Sequence, residues 1–363
     1  MDSSLEISLF GPGYGESIVA KLADDFWLIV DSCKAKCSKI AEPLRYLRDE
    51  KGVDVGQDVR MVVVSHWHDD HTRGISQVVE ACSNARVVLP NTLRGKNAKE
   101  FLTVVSALSL DGQMESSGVS ELYNVLIALE GRTSTLKTPI YASQNRDLPL
   151  PDGFSEIGIR SLSPGDYAQL CSTFELGNYI RNTSPKRRLP SISPNEASIA
   201  LQIQVNDFHI LLGGDQESGD ELKGWQCIVL DSATPKNRAC VVKVPHHAAE
   251  SGYHSEMWGS LAIKDPVAIA TPYIRGGRHL PNDEDRDRIL QHTDQAYLTV
   301  STRATKTPSK NYNAPVQKTL KEAGVILYSI DQNCVHIRIM FDPNDPLSLN
   351  VETLKGALHF TDV

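Results

Sequence analysis

What the chain lacks narrows its class. No apolar run approaches the roughly 20 residues that a membrane-spanning helix needs. The opening Met1-Asp2-Ser3-Ser4-Leu5-Glu6 carries neither the basic region nor the apolar core of a secretion signal. The sequence therefore predicts a cytoplasmic protein without a membrane partner. Cysteine is scarce: seven in 363 residues, an odd number at irregular spacing. Such a set makes a poor disulfide framework, so reduced thiols are expected. Cys33 and Cys37 form the only close pair, and no second pair completes a four-cysteine zinc knuckle. They read as thiols in or near the core. Excess positive charge is missing too. A net charge of −8 argues against a generic polyanion binder, while bound metals and local basic loops leave nuclease chemistry open.

What is present is the alternation of an α/β protein. A hydrophobic share of 40% and a charged share of 23% are those of an ordinary folded chain. Its length suffices for one large α/β domain or two smaller ones. Residues 5–10, 17–22 and 26–30 read as strands, the first two separated by a glycine- and proline-rich turn at 11–16. Ile40, Leu44 and Leu47, with Pro43 near the start, predict a helix. A buried strand is expected over 61–64, a helix over 72–82 directly after it, and another strand over 86–89. Between 91 and 148 the pattern turns helical, with 101–110 and 119–129 as a hairpin inserted between strands. It carries no evident chemistry and reads as packing, with site cover or a protein-partner surface as the alternatives. Strands follow over 157–162, 197–205, 208–212, 241–244, 267–270 and 296–301, with a short helix over 283–291. The segment 183–194, containing Lys186-Arg187-Arg188, predicts an exposed basic loop. Residues 325–329 and 334–341 predict an edge hairpin. These boundaries give a single domain over 1–345 and a weakly patterned tail over 346–363.

The chemistry collects where apolar strands stop. After Val62-Val63-Val64 comes Ser65-His66-Trp67-His68-Asp69-Asp70-His71. In extended chain, side chains two apart point the same way. His66 and His68 therefore converge on one point, and Asp70 and His71 are placed to reach a second beside it. Imidazole and carboxylate are ligands for zinc, manganese or iron. Trp67 between them packs or stacks on a substrate base. Asp215, the pair His246-His247, and His279 also follow apolar runs. One sheet edge can gather all of them. A metal pair needs a bridging anion, for which Asp215 is the natural choice, and His246 or His247 is placed to donate a proton to a leaving group.

At these residues the chain resembles the metallo-β-lactamase superfamily. His66-Trp67-His68-Asp69-Asp70-His71 matches its H-x-H-x-D-H signature. It is similar more narrowly to the ComEC-like branch and to the phosphorylcholine esterases. Gly13-Tyr14-Gly15-Glu16-Ser17, Asp31, Asn195-Glu196-Ala197-Ser198, Gly214-Asp215, Lys243-Val244-Pro245-His246-His247 and His279 follow the order of that branch's motifs. The resemblance implies an αββα sandwich with a helical insert and a dinuclear site for two divalent metal ions, Zn²⁺ or Mn²⁺. By carry-over, His66 and His68 bind the first metal, Asp70, His71 and His279 the second, and Asp215 bridges. Asp70, His246 and His247 become the catalytic candidates, with one of the two histidines the alternative sixth ligand. Asp31, Asn195, Ser198, Lys243, His254 and Arg278 become supporting or substrate-facing ones. No histidine occurs between His71 and His209, which leaves the first metal to be completed by Asn195 or water.

Three functions are compatible with this pattern. The first is a metal-dependent phosphodiesterase, a nuclease acting on a nucleic acid substrate, with basic residues at 186–188 and at Lys306 and Lys310 expected beside the site. The second is a small-molecule ester, lactone or amide hydrolase of the same fold. The third is a non-catalytic binding module that recruits a partner through the helical insert.

Overall fold

Strand by strand, the apolar segments of the sequence sort their side chains to two faces. The computed structural model describes residues 5–11, 14–35, 38–110, 117–133, 135–181, 194–300, 336–343, 345–354 and 356–362. In chain order the strands are β1 (Leu5–Phe10), β2 (Ser17–Ala23), β3 (Phe26–Val30), β4 (Val59–Val63), β5 (Arg86–Pro90), β6 (Ile140–Ala142) and β7 (Arg146–Asp147). Then come β8 (Ile157–Ser161), β9 (Leu201–Val205), β10 (Phe208–Leu212), β11 (Ala239–Lys243) and β12 (Ala262–Ala270). The last are β13 (Tyr273–Arg275), β14 (Arg278–Leu280), β15 (Ala296–Leu298), β16 (His336–Asp342), β17 (Asp345–Leu354) and β18 (Leu358–His359). They form two eight-stranded sheets, in the orders β17-β16-β1-β2-β3-β4-β5-β6 and β18-β15-β12-β11-β10-β9-β8-β7, plus the small β13–β14 hairpin.

The period-2 rule explains how the sheets stack. On β4, Met61 and Val63 point into one core, while Val62 points to the opposite side with Val64 just beyond the strand. On β10 and β11, Ile210, Leu212 and Val241 join that first core, and Leu211 and Val242 face away from it. The shared core is thus the seam between the sheets. The outward faces are covered by helices, among them Ile75–Ala81 on the first sheet and Gly224–Leu230 and Ser255–Leu261 on the second. This is the αββα sandwich expected from the sequence. The central strands β3 to β6 and β10, β11, β12, β15 run parallel. Buried on both faces, they need apolar residues at every position, which is why they read as continuous runs.

Several boundaries differ from the sequence expectation. The helix expected over 72–82 is two pieces, Asp69–Thr72 and Ile75–Ala81, because Gly74 between them is left-handed, at φ 80°. A Cβ there would lie 2.4 Å from the Lys34 side chain. Residues 346–363 are not a tail. Most of β17 closes the edge of the first sheet, and β18 pairs with β15 in the second. β16 is not an edge strand, since it lies between β1 and β17. The basic loop, Lys306 and Lys310, Cys37 and the strand expected over 325–329 lie outside the described residues. Among the described residues no helix is long and apolar enough to cross a membrane.

The helical hairpin exists, as Lys96–Leu110 and Ser117–Glu130. Phe101, Leu102, Val105, Leu122, Val125 and Leu129 bury against the outer face of the first sheet together with Trp67. The second helix also grips the histidine segment directly. Gly118 N donates to Asp69 Oδ1 at 2.7 Å, and Glu121 accepts from the Gly74 and Ser76 amides at 3.0 and 3.1 Å. A Cβ on Gly118 would lie 2.2 Å from the Trp67 carbonyl oxygen, an approach only glycine permits. Gly118→Ala should therefore destabilise the protein by about 1–3 kcal/mol, read as a lower denaturant midpoint at unchanged slope.

Candidate metal centre

The site is built on the C-terminal ends of parallel strands, where open α/β sheets present their ligands. β3 ends at Asp31, whose backbone is left-handed at φ 60° and whose amide donates to Val63 O of the neighbouring strand. That turn aims its carboxylate across the β4 end. Asp31 accepts from Ser65 N at 2.7 Å, from Ser65 Oγ at 2.6 Å and from His71 Nδ1 at 2.8 Å. Burial raises the Asp31 carboxyl above its ordinary value, despite the lowering effect of His71 and Ser65. Its place is behind the histidines, holding their loop.

Each central histidine is fixed by its outer nitrogen. His71 Nδ1 faces Asp31, His66 Nδ1 lies 2.9 Å from Ser65 Oγ, and His247 Nδ1 lies 3.0 Å from Thr271 Oγ1. With Nδ1 donating outward, the tautomer this network favours presents Nε2 to the interior. There the three rings surround one carboxylate. His71 Nε2 is 3.3 Å from Asp215 Oδ1, and His247 Nε2 and His66 Nε2 are 3.6 and 3.8 Å from Asp215 Oδ2. Asp70 Oδ2 is 3.2 Å from His247 Nε2, and His68 Nδ1 is 3.0 Å from His66 Nε2. Asp215 itself is set at the end of β10 by Gly214 (φ 52°) and by Ser198 Oγ, which accepts its amide at 2.9 Å.

His66, His71 and Asp215 offer donor atoms mutually within 4.8 Å, and so do Asp70, His71 and His247. His71 Nε2 and Asp215 Oδ1 are buried with no hydrogen-bond partner. Glu16, Asp31, Asp70 and Asp215 are all buried, with Lys243 as the buried ammonium among them. Buried polar atoms without a hydrogen bond and a cluster of buried carboxyl groups are costly unless cations neutralise them. The residues therefore fit divalent metal ions.

The electrostatics agree. Burial alone would raise the Asp215 carboxyl, but the His71 and His247 imidazoles and Lys243 hold it well below the usual carboxylate range. Burial alone would lower His71 and His247. For His71 this is outweighed by Asp215 and Asp31, which raise it well above its ordinary value, and for His247 by Asp215, Asp70 and Glu16.

His279 is not brought to this centre. It lies exposed on β14 opposite Ile274, outside both donor groups, and His247 stands where the sequence placed it. His254 bonds Gln226 Oε1 at 2.9 Å instead of facing the cavity. The cavity above the centre has a volume of about 670 Å³, and Trp67, His68, Asp70, Asn195, Asp215, His246 and His247 line it. Arg278 stands on its wall. His246 Nε2 is 3.2 Å from Asn195 Nδ2, and His246 Nδ1 is 2.9 Å from Ser251 Oγ. Asn195 also donates to Glu217 Oε1 at 2.9 Å, leaving its buried Oδ1 without a partner.

Behind the centre, sequence reasoning named Lys243 as a supporting residue but passed over Glu16 and Thr271. Lys243 Nζ donates to Gly214 O and to Glu16 Oε1, both at 2.7 Å. Glu16 N donates to Asp70 O at 2.8 Å. Glu16 Oε2 accepts from the Thr271 hydroxyl, which also meets His247. Glu16 thus ties the β11 lysine, the Asp70 backbone and the His247 ring together. The signals were its position within Gly13-Tyr14-Gly15-Glu16-Ser17 and the polar Thr271 ending an apolar strand.

No family model and no curated protein matches the chain. Solved structures do. The metallo-β-lactamase fold protein YhfI of Bacillus subtilis is similar at 12% identity and TM-score 0.35, over 66% of this chain and 70% of that one. A variant of the β-hydroxylase CmlA is similar at 13% and 0.34, over 78% and 40% of the two chains. A Parabacteroides distasonis protein provisionally described as a metal-dependent hydrolase is similar at 9% and 0.30, over 88% and 91%.

Asp31→Ala removes the support of His71 and should weaken metal binding about 10- to 100-fold, measured by competition with a chromophoric chelator. The neighbouring carboxylates that raise His71 and His247 favour the protonated rings in the metal-free protein. Metal uptake must release those protons, so affinity falls as pH falls. Calorimetry in buffers of different protonation enthalpy should show the release.

Proposed function

We propose that the protein is a metal-dependent hydrolase of phosphodiesters, acting on nucleic acid. The observation that carries this is the position of Asp215, whose carboxylate lies 3.3–3.8 Å from the Nε2 atoms of His66, His71 and His247 at the floor of an open, polar cavity. In this assignment His66, His68 and Asp215 would hold one ion, completed by Asn195 or water. Asp70, His71, His247 and Asp215 would hold the other. When bound, a metal pair lowers the pKa of water and neutralises charge on the oxygens of an in-line displacement.

The chain's own residues supply the rest. Asn195, Glu217 and Ser251 orient the His246 ring at the cavity wall. Burial pushes the His246 imidazole down, with Asp215 acting the other way. An incoming phosphodiester adds negative charge that favours the imidazolium. His246 then donates its proton to the departing oxygen. The small-ester reading needs the same centre.

Purified protein should cleave bis-p-nitrophenyl phosphate and single-stranded DNA with Mn²⁺ or Zn²⁺, and Asp70→Ala should abolish both. His246→Ala should lower kcat on DNA about 10²- to 10⁴-fold. It should slow the nitrophenyl ester far less, because nitrophenolate departs without a proton. Cleavage of carboxylic esters but of no phosphodiester would overturn the assignment.

A further inference from the structure

The arginines at the tip of the β13–β14 hairpin stand in a costly arrangement. Arg275 and Arg278 are direct cross-strand partners. Gly276 and Gly277 join them, both left-handed, at φ 60° and 80°, as a two-residue turn requires. Like charges directly opposite each other destabilise an antiparallel pair. No carboxylate forms an ion pair with either guanidinium among the described residues. A tip needed only to turn the chain would carry neutral or opposite charges there.

Arg275 is nevertheless held in place. Its guanidinium donates to the Tyr14 hydroxyl and lies 4.7 Å from the Tyr14 ring centroid, while the Arg73 guanidinium lies 4.5 Å from the same centroid. Tyr14 packs edge-on against Tyr273 at 5.7 Å, and Tyr273 lies 5.5 Å from the His247 ring. The hairpin therefore starts beside the metal centre and carries its two arginines outward along the same wall. Tyr14, Tyr273, Arg275 and Arg278 all line the cavity whose floor is Asp70, Asp215 and His247.

We propose that Arg275 and Arg278 together bind a second phosphate of the substrate, one flanking the scissile phosphodiester. The protein then acts on polynucleotide strands in preference to isolated phosphodiesters. This rests on the phosphodiesterase assignment above. An anion seated between the guanidiniums removes their mutual repulsion, and the planar fork of arginine matches phosphate oxygens.

The test pairs binding with turnover in the full-length protein carrying Arg275→Ala and Arg278→Ala together. Binding of a fluorescein-labelled oligothymidylate of about ten nucleotides is followed by anisotropy in EDTA, so that it reads no catalysis. The double variant should bind about tenfold more weakly or worse. Its plot of log affinity against log salt should lose about 0.7 of slope, for the one phosphate no longer neutralised. The variant with lysine at both positions should recover most of the slope. In turnover, the ratio of kcat/KM on the oligonucleotide to that on bis-p-nitrophenyl phosphate should fall about tenfold or more. An unchanged salt slope or an unchanged ratio, with an unaltered circular dichroism spectrum, overturns the second-phosphate subsite alone. Wild-type protein that cleaves neither compound overturns the phosphodiesterase assignment, and the binding arm still decides whether the arginines take a phosphate.

Discussion

The buried carboxylate of Asp215 is the constraint to which the rest of this sheet edge answers. A lone carboxylate in the interior costs several kcal/mol. Here it is surrounded by the Nε2 atoms of His66, His71 and His247 and approached by Lys243 at 3.7 Å. Those groups come from two strand ends, His66 and His71 after β4 and Lys243 and His247 at β11, and the two sets meet only through the two-sheet architecture. Removing the carboxylate would leave imidazoles and an ammonium facing one another. The sandwich and the centre are thus one arrangement, since the parallel strands that bury the core also deliver the charges that make burial tolerable.

Support for that carboxylate runs in two directions. On the first sheet, Asp31 anchors Ser65 and His71. On the second, Glu16 reaches across from the first sheet to Lys243 and Thr271. The sheets are therefore joined by a polar bolt at the edge where they carry chemistry, as well as by the apolar seam. The helical hairpin adds a third brace through Gly118, Glu121 and Trp67, and Phe101 from the same hairpin reaches the cavity wall. The packing role read for this segment holds, and it packs on the loop that bears the histidines.

The layered fold was legible because buried parallel strands must be apolar at every residue, and their abrupt ends expose the polar groups that follow. His66, His68, Asp70, His71 and Asp215 stand out in the sequence for that reason. What was not legible depends on backbone handedness and on distant pairing. His247 and His279 both follow apolar runs, and only the left-handed conformations at His246, His247 and Ala248 decide which ring turns inward. The break at Gly74 is a single residue inside an otherwise helical pattern. β17 went unrecognised because its Asp, Ser, Asn, Glu and Thr residues interrupt the apolar ones, as an edge strand allows. Glu16 gains meaning only once β2, β11 and β12 are side by side.

The three consecutive left-handed residues at the end of β11 carry one more implication. Non-glycine residues adopt this conformation at a cost of roughly 1–2 kcal/mol each. The amide of His246, bonded to Gly214 O at 3.1 Å, helps hold the bend. Neighbouring peptide planes are thereby locked at fixed angles, so that His247 turns down toward Asp70 while His246 turns out toward Asn195 and Ser251. One backbone bend thus sets the aim of both rings, one at the floor of the cavity and one at its wall, so that a substitution straightening the bend would misdirect the two together.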